Sequence, residues 1–266
     1  MTARNDVSKP KVGRLRKYRF VLIGALLVAG ASYLLTMGGG KFSPFSDHSG
    51  GKSNAGKQSI EAVAKYSPTD IAAGAERGDA VFQAALGDVY RYGRDGYEKD
   101  IRKALLWYKK SAEQGNSNAM RKLALAHAEG EGAGDDALAL GWLEKAALAG
   151  DAQAPNYLCT WYFIGSHTPQ NYPKSAQWCK VAAQQGEEGA QHMLAQMYFD
   201  GNGVSRNNIL AYAWANIAAK NGSKNSANLR DMAQRHLNRG ELVYAQGLAA
   251  NWRVGEQIVD LGFKPQ

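Results

Sequence analysis

Gly51-Lys52-Ser53 carries the ending of a phosphate-binding loop, in which backbone N–H groups cradle phosphate and the lysine reaches it. Ser46 stands where such a loop needs its first glycine, and no hydrophobic strand precedes it. Nucleotide binding is not expected there. Asp200-Gly201-Asn202-Gly203 and the stretch 129–136 are acidic and glycine-rich, as calcium loops are. Neither keeps the alternating ligand positions and closing glutamate that calcium coordination requires. The histidines at 48, 127, 167, 192 and 236 are scattered singly, none paired at metal-ligand spacing. No serine or cysteine sits in a nucleophile-elbow context. The expectation is therefore no catalytic residue, no metal ligand and no cofactor. Cys159 and Cys179 remain, and their chemistry depends on the elements that hold them.

Those elements repeat. Trp107, Trp142, Trp178 and Trp214 are 35, 36 and 36 residues apart. Each is followed by a glycine: Gly115, Gly150, Gly186 and Gly222. Upstream, a leucine recurs at 86, 123, 158 and 194, followed by Gly87, Ala124, Cys159 or Ala195, and then by Tyr90, His127, Tyr162 or Tyr198. Leucine, small residue and tyrosine at i, i+1 and i+4 share one helical face. A second small residue (Ala104, Ala139, Ser175, Ala211), the tryptophan and an alanine form a second stripe. Each unit thus reads as two antiparallel helices, with the tryptophan filling space against the next unit and the closing glycine in a left-handed cap. A fixed period of this size implies stacked units. The expected units are 79–115, 116–150, 151–186 and 187–222. Ser67 to Gly78 starts with a capping pattern and covers the first unit, and two amphipathic helices broken near Asn238–Gly240 form a C-terminal cap over 223–258.

The stretches Ala84 to Gly115 and Ala190 to Gly222 resemble a Sel-1-like repeat, the longer-looped relative of the tetratricopeptide repeat. The other two units are weaker matches, because His127 replaces the tyrosine and Cys159 and Ser175 take small positions. The resemblance implies an all-α fold: a right-handed superhelical solenoid of four helical hairpins with capping helices. It also implies a concave surface lined by first helices. In this sequence that groove would hold Asp88, Arg91, Tyr92, Leu125, Thr160, Phe163, Gln196 and Phe199, with Phe163 and Phe199 as aromatic anchors. Cys159 and Cys179 fall on the two helices of one unit. Two readings stay open: a disulfide across that hairpin, or two buried thiols acting as small hydrophobes. Secreted cysteine-rich relatives place their cysteines elsewhere, so no pairing carries over.

The front end is different. The net charge of +8 lies wholly in residues 1–66, which hold 11 Lys/Arg against 3 Asp/Glu. Residues 67–266 hold 21 of each, so the solenoid has no basic footprint and nucleic acid is not an expected partner. A basic segment, 1–19, precedes Phe20 to Met37, a run of 18 residues without a charge. As a helix this run spans about 27 Å, close to the hydrocarbon thickness of a bilayer. It reads as a signal-anchor with the basic end in the cytoplasm. Ala29-Gly30-Ala31 keeps a cleaved signal peptide as the alternative. Residues 38–66 have the Gly/Ser/Lys composition of a flexible linker. The expected function is a single-pass scaffold of a bacterial inner membrane, with its repeats in the periplasm and one or more proteins or peptides as partners. The alternatives are a cell-wall-active or β-lactam-related enzyme and a cytoplasm-facing adaptor of reversed topology.

Overall fold

The computed structural model describes residues 65–258 except 95, 132, 133 and 221. The basic segment, the apolar run 20–37 and nearly all of the linker lie outside the described residues. Among the described residues the chain forms eleven α-helices and no strand, and no helix there is long and apolar enough to cross a membrane.

The helices are all short: α1 (Pro68–Glu76), α2 (Ala80–Tyr92), α3 (Ile101–Glu113), α4 (Ser117–Ala128), α5 (Asp136–Leu148), α6 (Ala154–Ile164), α7 (Tyr172–Gln184), α8 (Glu188–Asp200), α9 (Asn208–Ala219), α10 (Lys224–Gln234) and α11 (Arg239–Asn251). Their starts are written locally. Ser67 and Asn238 close capping boxes with Asp70 and Glu241. Asp79, Asp100, Asn116, Asp135, Asn171, Asn207 and Ser223 each accept from a first-turn N–H. Such a cap satisfies donors that the helix cannot. The closing glycines end the second helices in left-handed backbone, as at Gly150 with φ 84° and Gly186 with φ 93°. A side chain at that φ would be strained.

Within each unit the two helices pack together, as α2/α3, α4/α5, α6/α7 and α8/α9, and the second helix packs on the next unit's first. At the ends, α1 covers α2, and α10 and α11 cover α9. The recurring leucines are fully sequestered: Leu158 and Leu194 are 0% exposed, Leu86 and Leu123 2%. Each contributes about 1.5–3 kcal/mol of burial.

The tryptophans behave differently from the expectation. Trp214 is 3% exposed, whereas Trp107, Trp142 and Trp178 are only half-buried. Trp107 joins the cluster built by α1 and α2, on the preceding side of its helix rather than the next. The fully buried position is the residue after the tryptophan: Tyr108, Leu143, Cys179 and Ala215 are all 0% exposed. It faces the small residue of the partner helix, so the two together set how closely the hairpin closes. A rotation of about 100° per residue separates the two positions, enough to exchange rim for core.

Beyond α11 the chain turns back. The Gly255 N–H donates to the Gln184 carbonyl at 2.7 Å, Val254 packs near Gly186, and Trp252 meets Trp214 edge-to-face with centroids 5.7 Å apart. This strap ties the cap to the α7–α8 turn.

Candidate interaction surface

The eight residues expected to line the groove divide sharply by position. In the first two units they are consumed by the fold. Asp88 accepts a hydrogen bond from the Tyr108 hydroxyl at 2.8 Å and pairs with the Lys122 ammonium. Arg91 is 8% exposed, and its guanidinium reaches Glu129 at 2.6 Å and Glu131 at 3.0 Å. Leu125 offers no surface: it is 8% exposed in the cluster shared by α4, α5 and α6. Only Tyr92 is open, with the Arg94 guanidinium 4.8 Å from its ring centroid.

These pairs join one unit to the next. Asp88–Lys122 links α2 to α4, Arg91–Glu129 links α2 to the residue that caps the end of α4, and Arg121–Asp151 at 2.9 Å links α4 to the turn before α6. The Asp151 carboxylate also accepts from the N–H of Ala154, capping α6, whose own N-cap residue, Gln153, gives no side-chain bond. Burial pulls the Lys122 ammonium below the usual lysine range, and Asp88 opposes that pull. Burial, and then the Asp88 charge, push the Tyr108 hydroxyl above the usual phenol range. A buried charge left without its partner costs several kcal/mol, so these residues are poor candidates for binding another molecule.

In the last two units the groove positions remain partly open. The Thr160 hydroxyl donates back to the Asn156 carbonyl at 3.1 Å. Phe163 is half-buried, edge-on to Tyr172 at 5.5 Å. Gln196 donates to Asp200 at 2.6 Å. Phe199 is half-buried and carries the Arg206 guanidinium at 5.6 Å and the His236 ring at 5.7 Å. The expected groove positions are therefore largely charge-paired within the fold in the first two units, and partly exposed in the last two, with a guanidinium and an imidazole beside Phe199.

Cys159 and Cys179 are joined in a disulfide between α6 and α7, with Cα atoms 4.7 Å apart. Both are fully buried, and the Ser175 hydroxyl beside them donates to the Cys159 carbonyl at 2.8 Å. Of the histidines, His127 is half-buried at the tyrosine position, and its Nδ1 has no hydrogen-bond partner among the described residues. His192 lies 3.1 Å from the Ser226 hydroxyl, and burial lowers its pKa. His167 takes a left-handed φ of 58° and meets Asp136 at 2.6 Å. No group of three His, Cys, Asp or Glu among the described residues is placed to hold a metal ion.

A family model for the Sel1 repeat matches residues 80–116, 117–151, 152–187 and 189–223, more than half of the chain. The chain belongs to the Sel1 repeat family. Two solved structures resemble it. One is a protective antigen of uropathogenic Escherichia coli displaying an SLR fold, 29% identical with a TM-score of 0.59, over 68% of this chain and 39% of that one. The other is a Sel1 repeat protein from Oxalobacter formigenes, 31% identical with a TM-score of 0.57, over 62% of this chain and 48% of that one. The chain thus spans less than half the length of either. No curated protein matches it. Sel1 repeats generally mediate protein–protein interaction and are typically non-catalytic.

Sequence reasoning missed the inter-unit ion pairs and the strap. A signal for the former existed: Asp88 and Lys122, like Arg91 and Glu129, are opposite charges separated by about one period, 34 and 38 residues.

Proposed function

We propose that this Sel1 repeat protein is a membrane-tethered scaffold whose solenoid docks partner proteins on the periplasmic side of a bacterial inner membrane. The observation that carries the reading is the division of the chain. All of its net positive charge and a charge-free, almost wholly apolar run, 20–37, precede a repeat array of zero net charge. Cationic flanks stay cytoplasmic, which sends the array across the bilayer. The cysteine pair that faces itself within one hairpin agrees with that side, because disulfides persist in oxidising compartments. The two similar solved structures come from bacteria. The work of the scaffold is binding: the first helices present the exposed Tyr92 and the half-buried Phe163 and Phe199, and no catalytic group is asked for.

Reporter fusions after residue 266 test the topology. Alkaline phosphatase is expected to be active there and green fluorescent protein dark. The opposite pattern would place the repeats in the cytoplasm and overturn the reading. N-terminal sequencing of the membrane-bound protein is expected to find residues 1–37 retained, and loss at Ala31 would replace the anchor with a cleaved signal.

A further inference from the structure

The cations of this solenoid are not all in the same condition. Arg91, Arg121 and Lys122, in the first two units, are each shielded and matched by a carboxylate. From Gly201 to Arg239 the sequence holds six Lys/Arg and a single acidic residue, Asp231. Two of the six are occupied: Arg230 pairs with Asp231, and Lys220 donates to the Ala249 carbonyl. Arg206, Arg235 and Arg239 are exposed and have no carboxylate within ion-pair distance among the described residues. The neighbouring carboxylates are engaged elsewhere, Asp200 by Gln196 and Glu241 in the capping box of α11.

Packing brings two separate turns together against one ring. The Phe199 ring, at the end of α8, is flanked by Arg206 from the α8–α9 loop and by His236 from the α10–α11 turn. Arg235 precedes His236 in that turn, and Arg239 follows it as the first residue of α11. A guanidinium resting against a ring loses freedom before any ligand arrives, yet keeps its N–H groups for a carboxylate. Ordering done in the free protein does not have to be repeated on binding.

We propose that this end of the groove, Phe199 with Arg206, Arg235, His236 and Arg239, docks an acidic segment of a partner protein. The inference rests on the scaffold reading and gives the partner its chemistry. Charge complementarity chooses the occupant: a local surplus of cations, on an array whose charges sum to zero as a whole, suits a short carboxylate-bearing stretch. A nucleic acid would call for a basic face along the whole array.

The test uses the full chain in zwitterionic detergent and a fluorescein-labelled oligoglutamate peptide, read by anisotropy. Binding is expected to weaken by about tenfold or more in the triple variant R206Q/R235Q/R239Q, and to fall with added salt. Phe199→Ala is expected to weaken it as well, with helicity by circular dichroism unchanged. The variant K9Q/K11Q/R14Q/R16Q, which discharges the N-terminal segment, is expected to bind as the parent does. Undiminished binding by the triple variant would overturn the proposal. So would equal affinity of this face for a single-stranded oligonucleotide or for phosphatidylglycerol vesicles of matched charge. None of these outcomes alters the topology measurement, so the scaffold reading stands or falls separately.

Discussion

The α2–α3 and α6–α7 hairpins occupy equivalent places in the array and close by different chemistry. In the first, Gly87 leaves room for the Tyr108 ring, and a β-carbon there would lie 2.5 Å from that ring. In the third unit, Cys159 and Cys179 hold the same two positions and are bonded. The second unit uses Ala124 and Leu143, which share one core cluster, and the fourth uses Ala195 and Ala215 in another. The contact must be filled, but how the volume is divided across it is free. Glycine against tyrosine also places a hydroxyl inside the hairpin, and that hydroxyl anchors Asp88 and through it Lys122. The bonded pair carries no hydroxyl; the Tyr162 hydroxyl of its hairpin instead donates to Glu144 of the preceding hairpin at 2.7 Å, and Thr160 and Phe163 stay partly exposed.

The largest break in this comparison is Tyr108→Ala. It empties a fully buried site and removes the donor to Asp88, at an expected cost of about 3–5 kcal/mol in urea unfolding. A loss below about 1 kcal/mol would show that the site collapses at little cost. Next comes the other hairpin: Cys159→Ala with Cys179→Ala, or reduction of the parent, is expected to cost about 2–4 kcal/mol. Thermal melts with and without reductant check it, and identical midpoints would remove the bond from the account.

Gly87→Ala is expected to cost about 1–3 kcal/mol by overpacking against Tyr108. Adding Tyr108→Leu, which copies the Ala124–Leu143 solution, should recover part of that cost. A double variant less stable than both single variants would mean that the equivalent positions are not interchangeable.

The smallest effects are titrations of opposite sign. Burial and then Asp88 raise the Tyr108 pKa above its ordinary 10.0. As pH rises, the unfolded tyrosine therefore ionises first, and stability falls above about pH 10. Burial lowers the His192 pKa below its ordinary 6.5. As pH falls, the unfolded histidine protonates first, so its contribution is present above about pH 6.5 and lost below it. Tyr108→Phe should flatten the alkaline limb of a stability–pH curve, and His192→Gln the acid limb. An unchanged limb would sink the corresponding assignment.

Much of the fold was legible because helical hairpins are local objects. The leucine, the small residue and the closing glycine each report on the few residues beside them, and the Asp, Asn and Ser caps mark the helix starts. The candidate surface was legible only in part. Phe163 and Phe199 are half-buried against the core with part of each ring exposed, whereas Leu125 lies in the core and Asp88 and Arg91 are bound into ion pairs. For Asp88 and Arg91 the decisive element was a partner about one period away, and one unit's pattern carries no record of its neighbour's charges.

The sequence by itself determined the period, the two-helix unit, the caps and the separation of a charged, apolar front from a neutral array. Each of these depends on spacing along the chain, which is where 3.6-residue geometry is written. Only the tertiary structure decided that Tyr108 rather than Trp107 is the core residue of its helix. It likewise decided that Cys159 meets Cys179, and that Arg206 and His236 converge on Phe199. Those outcomes depend on the rotation of each helix about its axis and on where the next unit stops. Such quantities are settled by packing the whole stack at once.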